Sequence, residues 1–304
     1  MAGIYIHIPF CKQACTYCNF HFSTSLLYKN ELLSALLKEM EMRSSRSGAY
    51  LDPGEKIDTI YLGGGTPSLL DAGETEKLVQ TIYSLYPVSP GAEVTLEANP
   101  DDITNEKLSG WKNAGINRLS IGIQGFDDKE LFWMNRAHHA QQAHQCLELA
   151  FPAFKNISVD LIYGTPMLDD TSWKKNVDKI TSMGIPHLSC YALTVEPKTP
   201  LYKMIRDQRS EDVNPDQQAR QFMLLMEWME KAGYEHYEIS NFAKPGQRSK
   251  HNSSYWRGTS YLGMGPSAHS YNGISRQWNV SNNTTYINSI QSGMLPAEIE
   301  TLTA

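Results

Sequence analysis

Three of the five cysteines lie within eight residues of one another near the start of the chain. Cys11, Cys15 and Cys18 form the pattern Cys-x3-Cys-x2-Cys directly after a short apolar run. Three thiols this close cannot all pair as disulfides, but they can converge on one metal centre. An iron–sulfur cluster is usually held by four cysteines. Three would leave one iron without a protein ligand and open to another molecule, as a reactive centre requires.

Two other interpretations of these cysteines stay open. One is a structural zinc site with His21 as its fourth ligand, and the other is three cysteines without a ligand. Structural zinc usually has two ligand pairs separated by a longer loop, so the compact spacing favours the cluster. The remaining cysteines, Cys146 and Cys190, stand alone in apolar runs, and we expect both to be buried.

A histidine near the C-terminal end is the second feature with possible metal chemistry. His251 lies in His-Asn-Ser-Ser-Tyr-Trp, within a stretch from 243 to 265 that is rich in Gly, Ser, Asn and aromatic residues and is predicted to form loops. A loop histidine beside two aromatic rings can ligate haem iron. From the residues alone, a capping or hydrogen-bonding histidine is favoured, because a lone histidine is a weak signal. His269 is a further, weaker candidate.

The composition limits the classes of function. The chain has 304 residues, with 27 Lys and Arg against 33 Asp and Glu and a net charge of −6. This net negative charge argues against sequence-independent electrostatic binding to nucleic-acid phosphates. No apolar run is long enough to span a membrane, and the N-terminus has no basic signal-peptide region. We therefore expect a soluble, cytoplasmic protein.

Short β-rich runs alternate with amphipathic segments over the first two thirds of the chain. This rhythm predicts βαβ units and a parallel sheet, either partly closed into a barrel or open and doubly wound. Ligands should gather at the carboxyl ends of the strands. The predicted strands are Ile4–Ile8, Thr59–Leu62, Glu93–Glu97, Arg118–Ile123, Ser158–Ile162 and His187–Leu193. The predicted helices are Leu26–Met42, Glu74–Leu85, Asn105–Ala114, Ala137–Ala150 and Thr171–Met183.

The alternation of β-rich runs with amphipathic segments ends at about residue 195. A helix is predicted over Gln217–Lys231 and a strand over Tyr234–Phe242. We therefore divide the chain into a core, 1–195, and an appended α+β region, 196–304, on its C-terminal side.

The cysteine pattern after a strand resembles the signature of radical S-adenosylmethionine (radical SAM) enzymes. The string Tyr5-Ile6-His7-Ile8-Pro9-Phe10-Cys11 is similar to one branch, the oxygen-independent coproporphyrinogen III oxidase (HemN/HemW) family. The resemblance implies a partial (βα)6 TIM-like barrel and a [4Fe-4S] cluster. It also implies S-adenosylmethionine on the open iron and an electron donor that triggers its cleavage. The family continues into a winged-helix-like C-terminal domain, which we expect to be absent or truncated here.

The resemblance also implies a set of cofactor-binding residues at the strand ends. Gly64, Gly65 and Thr66 would meet the methionyl amino group, Ala192 the adenine and Tyr5 the sulfonium. Tyr17 matches an aromatic residue that contacts a second S-adenosylmethionine in the dehydrogenase of this family. The remaining matches are Glu97, Gln124, Arg136 and Asp160.

Two features separate the branches of this family. The dehydrogenase branch has a fourth cysteine two residues after the third, where this chain has Phe20. Cys18-Asn19-Phe20 and the motif that begins at His251 resemble the haem-chaperone branch instead. The resemblance thus implies binding of haem, with His251 as a candidate contact, and its delivery to acceptor proteins. The alternatives are oxidative decarboxylation of coproporphyrinogen III and, less favoured, a structural zinc protein.

Overall fold

The computed structural model describes residues 2–44, 50–52 and 54–302. Within them, the strands are β1 (Ala2–Ile8), β2 (Ile57–Gly64), β3 (Val88–Ala98), β4 (Arg118–Gln124), β5 (Asn156–Tyr163), β6 (His187–Ala192), β7 (Glu235–His236), β8 (Asn241–Ala243), β9 (Tyr261–Met264), β10 (His269–Tyr271), β11 (Ser275–Asn279) and β12 (Ala297–Thr301). The helices are α1 (Lys29–Ser44), α2 (Ala72–Leu85), α3 (Asn105–Asn113), α4 (Asp128–Trp133), α5 (Ala140–Ala153), α6 (Asp170–Ser182), α7 (Pro200–Arg206), α8 (Pro215–Lys231), α9 (Lys250–Trp256) and α10 (Asn283–Gln291). None of these helices is long and apolar enough to cross a membrane.

The first six strands pair in parallel and in chain order, from β1 to β6. Each predicted strand overlaps one of them, so the prediction of βα units is confirmed. The sheet continues past both ends of this set, and its edges are β12 and β7. The order of β1 to β6 never reverses, as it would in a doubly wound sheet, so the sheet is an open, partial barrel.

The core lies between the sheet and the helices that follow its strands. Ile4, Ile6 and Ile8 of β1 are fully buried, and the other parallel strands carry similar apolar runs. Such runs are typical of parallel strands covered on both faces. Cys146 and Cys190 are part of this core, as predicted.

The appended region adds strands to both ends of the same sheet. On one side β9 pairs in parallel with β1, and β10, β11 and β12 extend the sheet antiparallel to one another. On the other side β8 pairs with β6, and β7 with β8. The predicted single strand Tyr234–Phe242 is wrong, because Glu238 accepts a hydrogen bond from Ser240 N at 3.0 Å and closes a turn in its middle.

The predicted loop over 243–265 is also wrong, since it contains α9 and β9. The Ser249 hydroxyl caps α9 by accepting from Asn252 N at 3.2 Å. The Glu93 carboxylate of β3 accepts from the backbone N–H groups of Lys250 and His251, at 3.1 and 3.0 Å. A carboxylate at a helix N-terminus stabilises the helix. A residue distant in sequence therefore supplies the helix start that composition did not indicate.

A buried polar network fixes the appended region against α1. Glu39 is fully buried and accepts from Arg43 Nε at 2.7 Å. It also accepts from Asn279 Nδ2 at 2.8 Å, Tyr286 Oη at 2.6 Å and Gly265 N at 2.8 Å. A buried charge is tolerated only when it is paired and hydrogen-bonded, and this carboxylate meets both conditions.

Candidate functional site

A cavity of about 490 Å³ opens at the carboxyl ends of the parallel strands. We call it the upper cavity. It brings together twelve of the fourteen site residues predicted from the sequence. They are Cys11, Cys15, Tyr17, Cys18, Gly64, Gly65, Thr66, Glu97, Gln124, Arg136, Asp160 and Ala192. Tyr5 and His251 line a different space below it.

The cysteine loop begins where β1 ends and folds back on itself. Cys11 N donates to Ser23 O at 3.0 Å, which closes the loop at its base. Thr66 Oγ1 donates to Cys11 Sγ at 3.5 Å, and Arg136 Nη1 donates to Cys15 Sγ at 3.4 Å. Burial raises the pKa of Cys11 to about 11 and also raises the pKa of Cys18. These thiols would lose their protons on binding a metal centre, whose charge favours the thiolate.

The arrangement of ligands around this loop differs from that of a zinc site. In the described part of the chain, no group of three or more His, Cys, Asp or Glu residues is arranged to hold a single metal ion. A mononuclear zinc site needs such a group around one point, whereas a [4Fe-4S] cluster takes one cysteine per iron. His21, the proposed fourth zinc ligand, has its Nε2 hydrogen-bonded to Asn283 Oδ1 at 2.7 Å instead. The loop supplies three cysteines, and side-chain donors reach the sulfur atoms of Cys11 and Cys15. This arrangement fits a [4Fe-4S] cluster.

The glycines after β2 bring that strand end against the cysteine loop. A Cβ on Gly65 would lie 2.6 Å from the carbonyl oxygen of Phe10, directly before Cys11. Gly64 has φ +112°, and a Cβ there would lie 2.7 Å from the His7 ring. Only glycine fits both constraints. The sequence predicted that these glycines let the backbone approach a ligand closely. The structure shows that they also let the end of β2 approach the backbone of the cysteine loop.

Glu97 at the end of β3 is held by two donors. Tyr61 Oη donates to Oε1 at 2.7 Å, and Gly64 N donates to Oε2 at 3.1 Å. Burial nevertheless raises the pKa of Glu97 to about 7. Desolvation disfavours the charged form more than these two bonds favour it. The carboxyl group can therefore change protonation near neutral pH when a cation or donor binds beside it.

Gln124 and Arg136 are positioned by a distortion at the end of β4. The register between β4 and β5 shifts at this point, and Gln124 has φ +66°. Such strain in a non-glycine residue is usually found at functional positions. Arg136 Nη2 donates to Asn99 Oδ1 and to Gly122 O, both at 2.8 Å, while its Nε is buried without a partner. That free donor fits the carboxylate expected of the cofactor.

Asp160 points from the middle of β5 into the cavity. Ser120 Oγ on β4 donates to its carboxylate at 3.3 Å, and burial raises the pKa of Asp160 to about 6. The Ser189 side chain also hydrogen-bonds this carboxylate and opposes the effect of burial on its pKa. A carboxylate that accepts from hydroxyl groups in a polar cavity suits ribose. Sequence reasoning missed Tyr61, Asn99 and Ser120, which orient the predicted residues. Asn99 directly follows the carboxyl end of β3, and that position is the signal that could have found it, whereas Tyr61 and Ser120 lie inside β2 and β4.

A second space of about 220 Å³ lies below the upper cavity, toward the amino ends of the strands. We call it the lower chamber, and it shares the side chains Glu97, Ser120, Asp160 and Tyr191 with the cavity above. Tyr5 lines this chamber. Its hydroxyl hydrogen-bonds His7 Nδ1 at 3.2 Å, and burial raises its pKa well above the ordinary value.

His251 lies in helix α9 at the lower chamber and is only 2% exposed. It is therefore not the loop histidine that the sequence predicted. Its Nδ1 hydrogen-bonds Thr59 Oγ1 at 2.8 Å, and its Nε2 hydrogen-bonds Tyr255 Oη at 2.9 Å. Its ring stacks on Tyr61 at 5.0 Å. Burial lowers the pKa of His251 to about 3. Neither ring nitrogen has a free position for iron in this arrangement.

The weaker candidate, His269, lines neither space. It is exposed on β10 and stacks against Trp278 at 6.1 Å. Phe20, which takes the place of a fourth cysteine, lies at the upper cavity with 71% of its surface exposed. Its side chain offers no ligand to a metal.

The fold and the cysteine-lined cavity define a radical SAM protein. The family model described as the radical SAM superfamily matches residues 5–180, more than half of the chain. The chain belongs to this superfamily, whose members hold a [4Fe-4S] cluster and S-adenosylmethionine. The residues of the upper cavity fit both groups.

Two relatives place the chain more narrowly. It is 38% identical to a Bacillus subtilis protein named heme chaperone HemW, over 97% of this chain and 78% of the relative. It is 35% identical to the heme chaperone HemW of Mycobacterium tuberculosis, over 97% of this chain and 75% of the relative. The structure of Escherichia coli coproporphyrinogen III oxidase (HemN) superposes with a TM-score of 0.84 at 23% identity, covering 99% and 72% of the two chains. That likeness establishes the fold alone.

Proposed function

We propose that this chain is a haem chaperone of the HemW type, built on a radical SAM core. The observation that carries the proposal is that relatives named heme chaperones align with nearly the whole chain. Phe20 supports it, because the position that would hold a fourth cysteine in the dehydrogenase has a phenyl ring.

In this proposal Cys11, Cys15 and Cys18 hold the cluster. Cluster-bound S-adenosylmethionine supplies radical chemistry when an electron is delivered, as in other radical SAM proteins. The wall of its site would be formed by backbone atoms and by the shape of five residues, Gly64, Gly65, Thr66, Gln124 and Ala192. The charged residues would orient it, with Arg136 at its carboxylate and Asp160 at its ribose.

Three partners complete the proposal. They are haem or a related porphyrin, a protein that accepts haem, and an electron donor for the cluster. Free cysteines are kept reduced in the cytoplasm, so we propose that the chain works there. Nucleic acid is not among the partners, given the net charge of −6.

The test uses the full chain, reconstituted with iron and sulfide without oxygen. We expect hemin to bind with a saturable change in absorbance and to pass to the apo form of a haem protein. The same preparation, with S-adenosylmethionine and a reductant, should leave coproporphyrinogen III unchanged. Conversion of coproporphyrinogen III without haem binding would overturn the proposal in favour of the dehydrogenase.

A further inference from the structure

A separate groove of about 710 Å³ runs along the outer side of the barrel, next to the cysteine loop. Its wall is formed by Thr16, Asp128, Lys129, Phe132, Trp133, Asn135, Met167 and Met204, of which Asp128 accepts a hydrogen bond from Ala140 N at 2.7 Å. These residues come from α4 and the turn after it, α7, the segment after β5 and the cysteine loop itself. The volume falls within the range of roughly 300–1,000 Å³ usual for pockets that hold compact organic ligands. None of these residues has a role in the upper cavity.

The groove exposes a contiguous apolar surface. The side chain of Phe132 is 86% exposed and that of Met167 is 48% exposed. Single exposed apolar residues are common, but a grouped set at one groove indicates a binding surface. Beneath it lies a small buried cluster that includes Leu131, Met134 and Leu201. That cluster gives the groove a packed floor.

The polar chemistry of the groove selects its ligand. Met167 and Met204 place two thioethers in the wall, and thioethers are soft ligands that serve as axial ligands of haem iron. Lys129 lies in the same wall, and no ion pair among the described residues involves it. An apolar planar macrocycle with a central iron and two carboxylates matches these three features.

We propose that this groove holds haem, with a methionine thioether on the iron and Lys129 at a propionate. The proposal rests on the proposed function and names its haem site. His251 does not offer such a site, because it is buried and both of its ring nitrogens are hydrogen-bonded. The groove is open at the surface, which suits a cargo that must be passed on to another protein.

The groove and the cluster loop share backbone contacts. Thr16 N donates to Met134 O at 3.0 Å, and Leu201 N donates to Thr16 O at 2.8 Å. Thr16 lies between Cys15 and Cys18, so the segment that ends α4 and the start of α7 are bonded directly to the cysteine loop. Haem in the groove would thus contact the segment that carries two cluster ligands.

The test compares hemin titrations of the reconstituted full chain and two double variants. Met167→Leu with Met204→Leu removes both thioethers and nearly conserves volume. The matched control, Met223→Leu with Met294→Leu, changes two exposed methionines outside the groove, which are 62% and 61% exposed. We expect the groove variant to lose the absorbance signature of sulfur-ligated haem and about tenfold in affinity. The control should match the wild type, and Lys129→Gln should weaken binding by a smaller factor.

The outcomes separate the two proposals. If the wild type binds no haem, the proposed function fails. If the wild type binds haem and the groove variant shows the same spectrum and affinity, the groove proposal alone is wrong. It is also wrong if a folded His251→Asn variant loses the haem spectrum. A groove variant that keeps haem but accepts electrons more slowly from a donor protein would make the groove a protein-docking surface and overturn the proposal.

Discussion

The upper cavity and the lower chamber share a wall but differ in how their polar groups are satisfied. In the upper cavity, the Arg136 Nε has no partner, and the Asp160 carboxylate accepts from the hydroxyl groups of Ser120 and Ser189. In the lower chamber, both ring nitrogens of His251 and of His187 are hydrogen-bonded. Buried polar groups are normally paired within the protein. The cavity is therefore prepared for a ligand, whereas the histidines of the chamber are part of the structure.

Burial shifts the pKa values of the carboxyl groups that the two spaces share and of the histidines of the lower chamber in opposite directions. It raises the pKa of Glu97 to about 7 and that of Asp160 to about 6. It lowers the pKa of His251 to about 3 and that of His187 well below its ordinary value. Desolvation favours the neutral form in each case. The stability contributed by the carboxyl groups and by the histidines should therefore change with pH in opposite directions.

The largest expected effect follows from removing one cluster cysteine. Cys15→Ala should reduce the iron and sulfide bound after anaerobic reconstitution to the background level, because a cluster held by two cysteines is lost. Cys190→Ala, at a buried cysteine of the core, is the matched control and should keep the full cluster content. Equal iron in both variants would contradict the assignment of the site.

A smaller effect should appear in the stability of the apo chain after Glu97→Gln. The folded chain binds the Glu97 proton more tightly than the unfolded chain, since the pKa is raised from 4.5 to about 7. The stability linked to this proton is complete below about pH 4.5 and is lost as the pH rises to 7. The Glu97→Gln variant has no carboxyl group at this position, so its stability does not fall with pH for this reason. Its free energy of unfolding, relative to wild type, should rise by about 2–3 kcal/mol between pH 5 and 8 in urea titrations.

The opposite trend is expected for His251→Asn in the lower chamber. The pKa is lowered from 6.5 to about 3, so the unfolded chain takes up the proton first as the pH falls. Wild-type stability is complete above about pH 6.5 and is lost progressively as the pH falls towards 3. The free energy of unfolding of the variant, relative to wild type, should rise by about 2 kcal/mol between pH 7 and 5. A flat difference would show that the imidazole is not buried as described.

The smallest effect is expected at an arginine of the lower chamber whose Nε, unlike the ring nitrogens of its histidines, has no partner. Arg118 is 2% exposed, and its Nε has no partner. The hydrogen bonds and ion pairs of the described residues include none from its guanidinium group. Burying a charge without a hydrogen-bonded partner costs free energy, and the Asp160 carboxylate acts on this guanidinium group only through space. Arg118→Met should therefore leave the free energy of unfolding unchanged or raise it by about 1 kcal/mol.

A second buried arginine provides the contrast for that experiment. Arg43 is equally buried but donates to Glu39 at 2.7 Å. Arg43→Met should cost about 3–5 kcal/mol, because it leaves the Glu39 carboxylate without its charged partner. Similar losses for the two variants, measured by urea unfolding at pH 7.5, would show that Arg118 has an ionic partner in solution.

Local sequence patterns were sufficient for the six parallel strands and for the cysteine loop. A run such as Ile4–Ile8 favours a strand whatever surrounds it, and three cysteines at this spacing lie close together in any fold. The resemblance to a known family then assigned Glu97, Gln124 and Asp160 to the same site as cofactor contacts. The upper cavity could therefore be anticipated in outline.

The lower chamber could not be anticipated, because it depends on contacts between distant parts of the chain. The start of helix α9 is held by Glu93, on β3, which accepts hydrogen bonds from the backbone N–H groups of Lys250 and His251. His251 is buried because that helix lies against β2, where Thr59 and Tyr61 contact its ring. The sequence alone determined the class of this protein through short-range spacing. The tertiary structure decided which polar side chains have partners, since burial and long-range hydrogen bonds exist only in the folded chain.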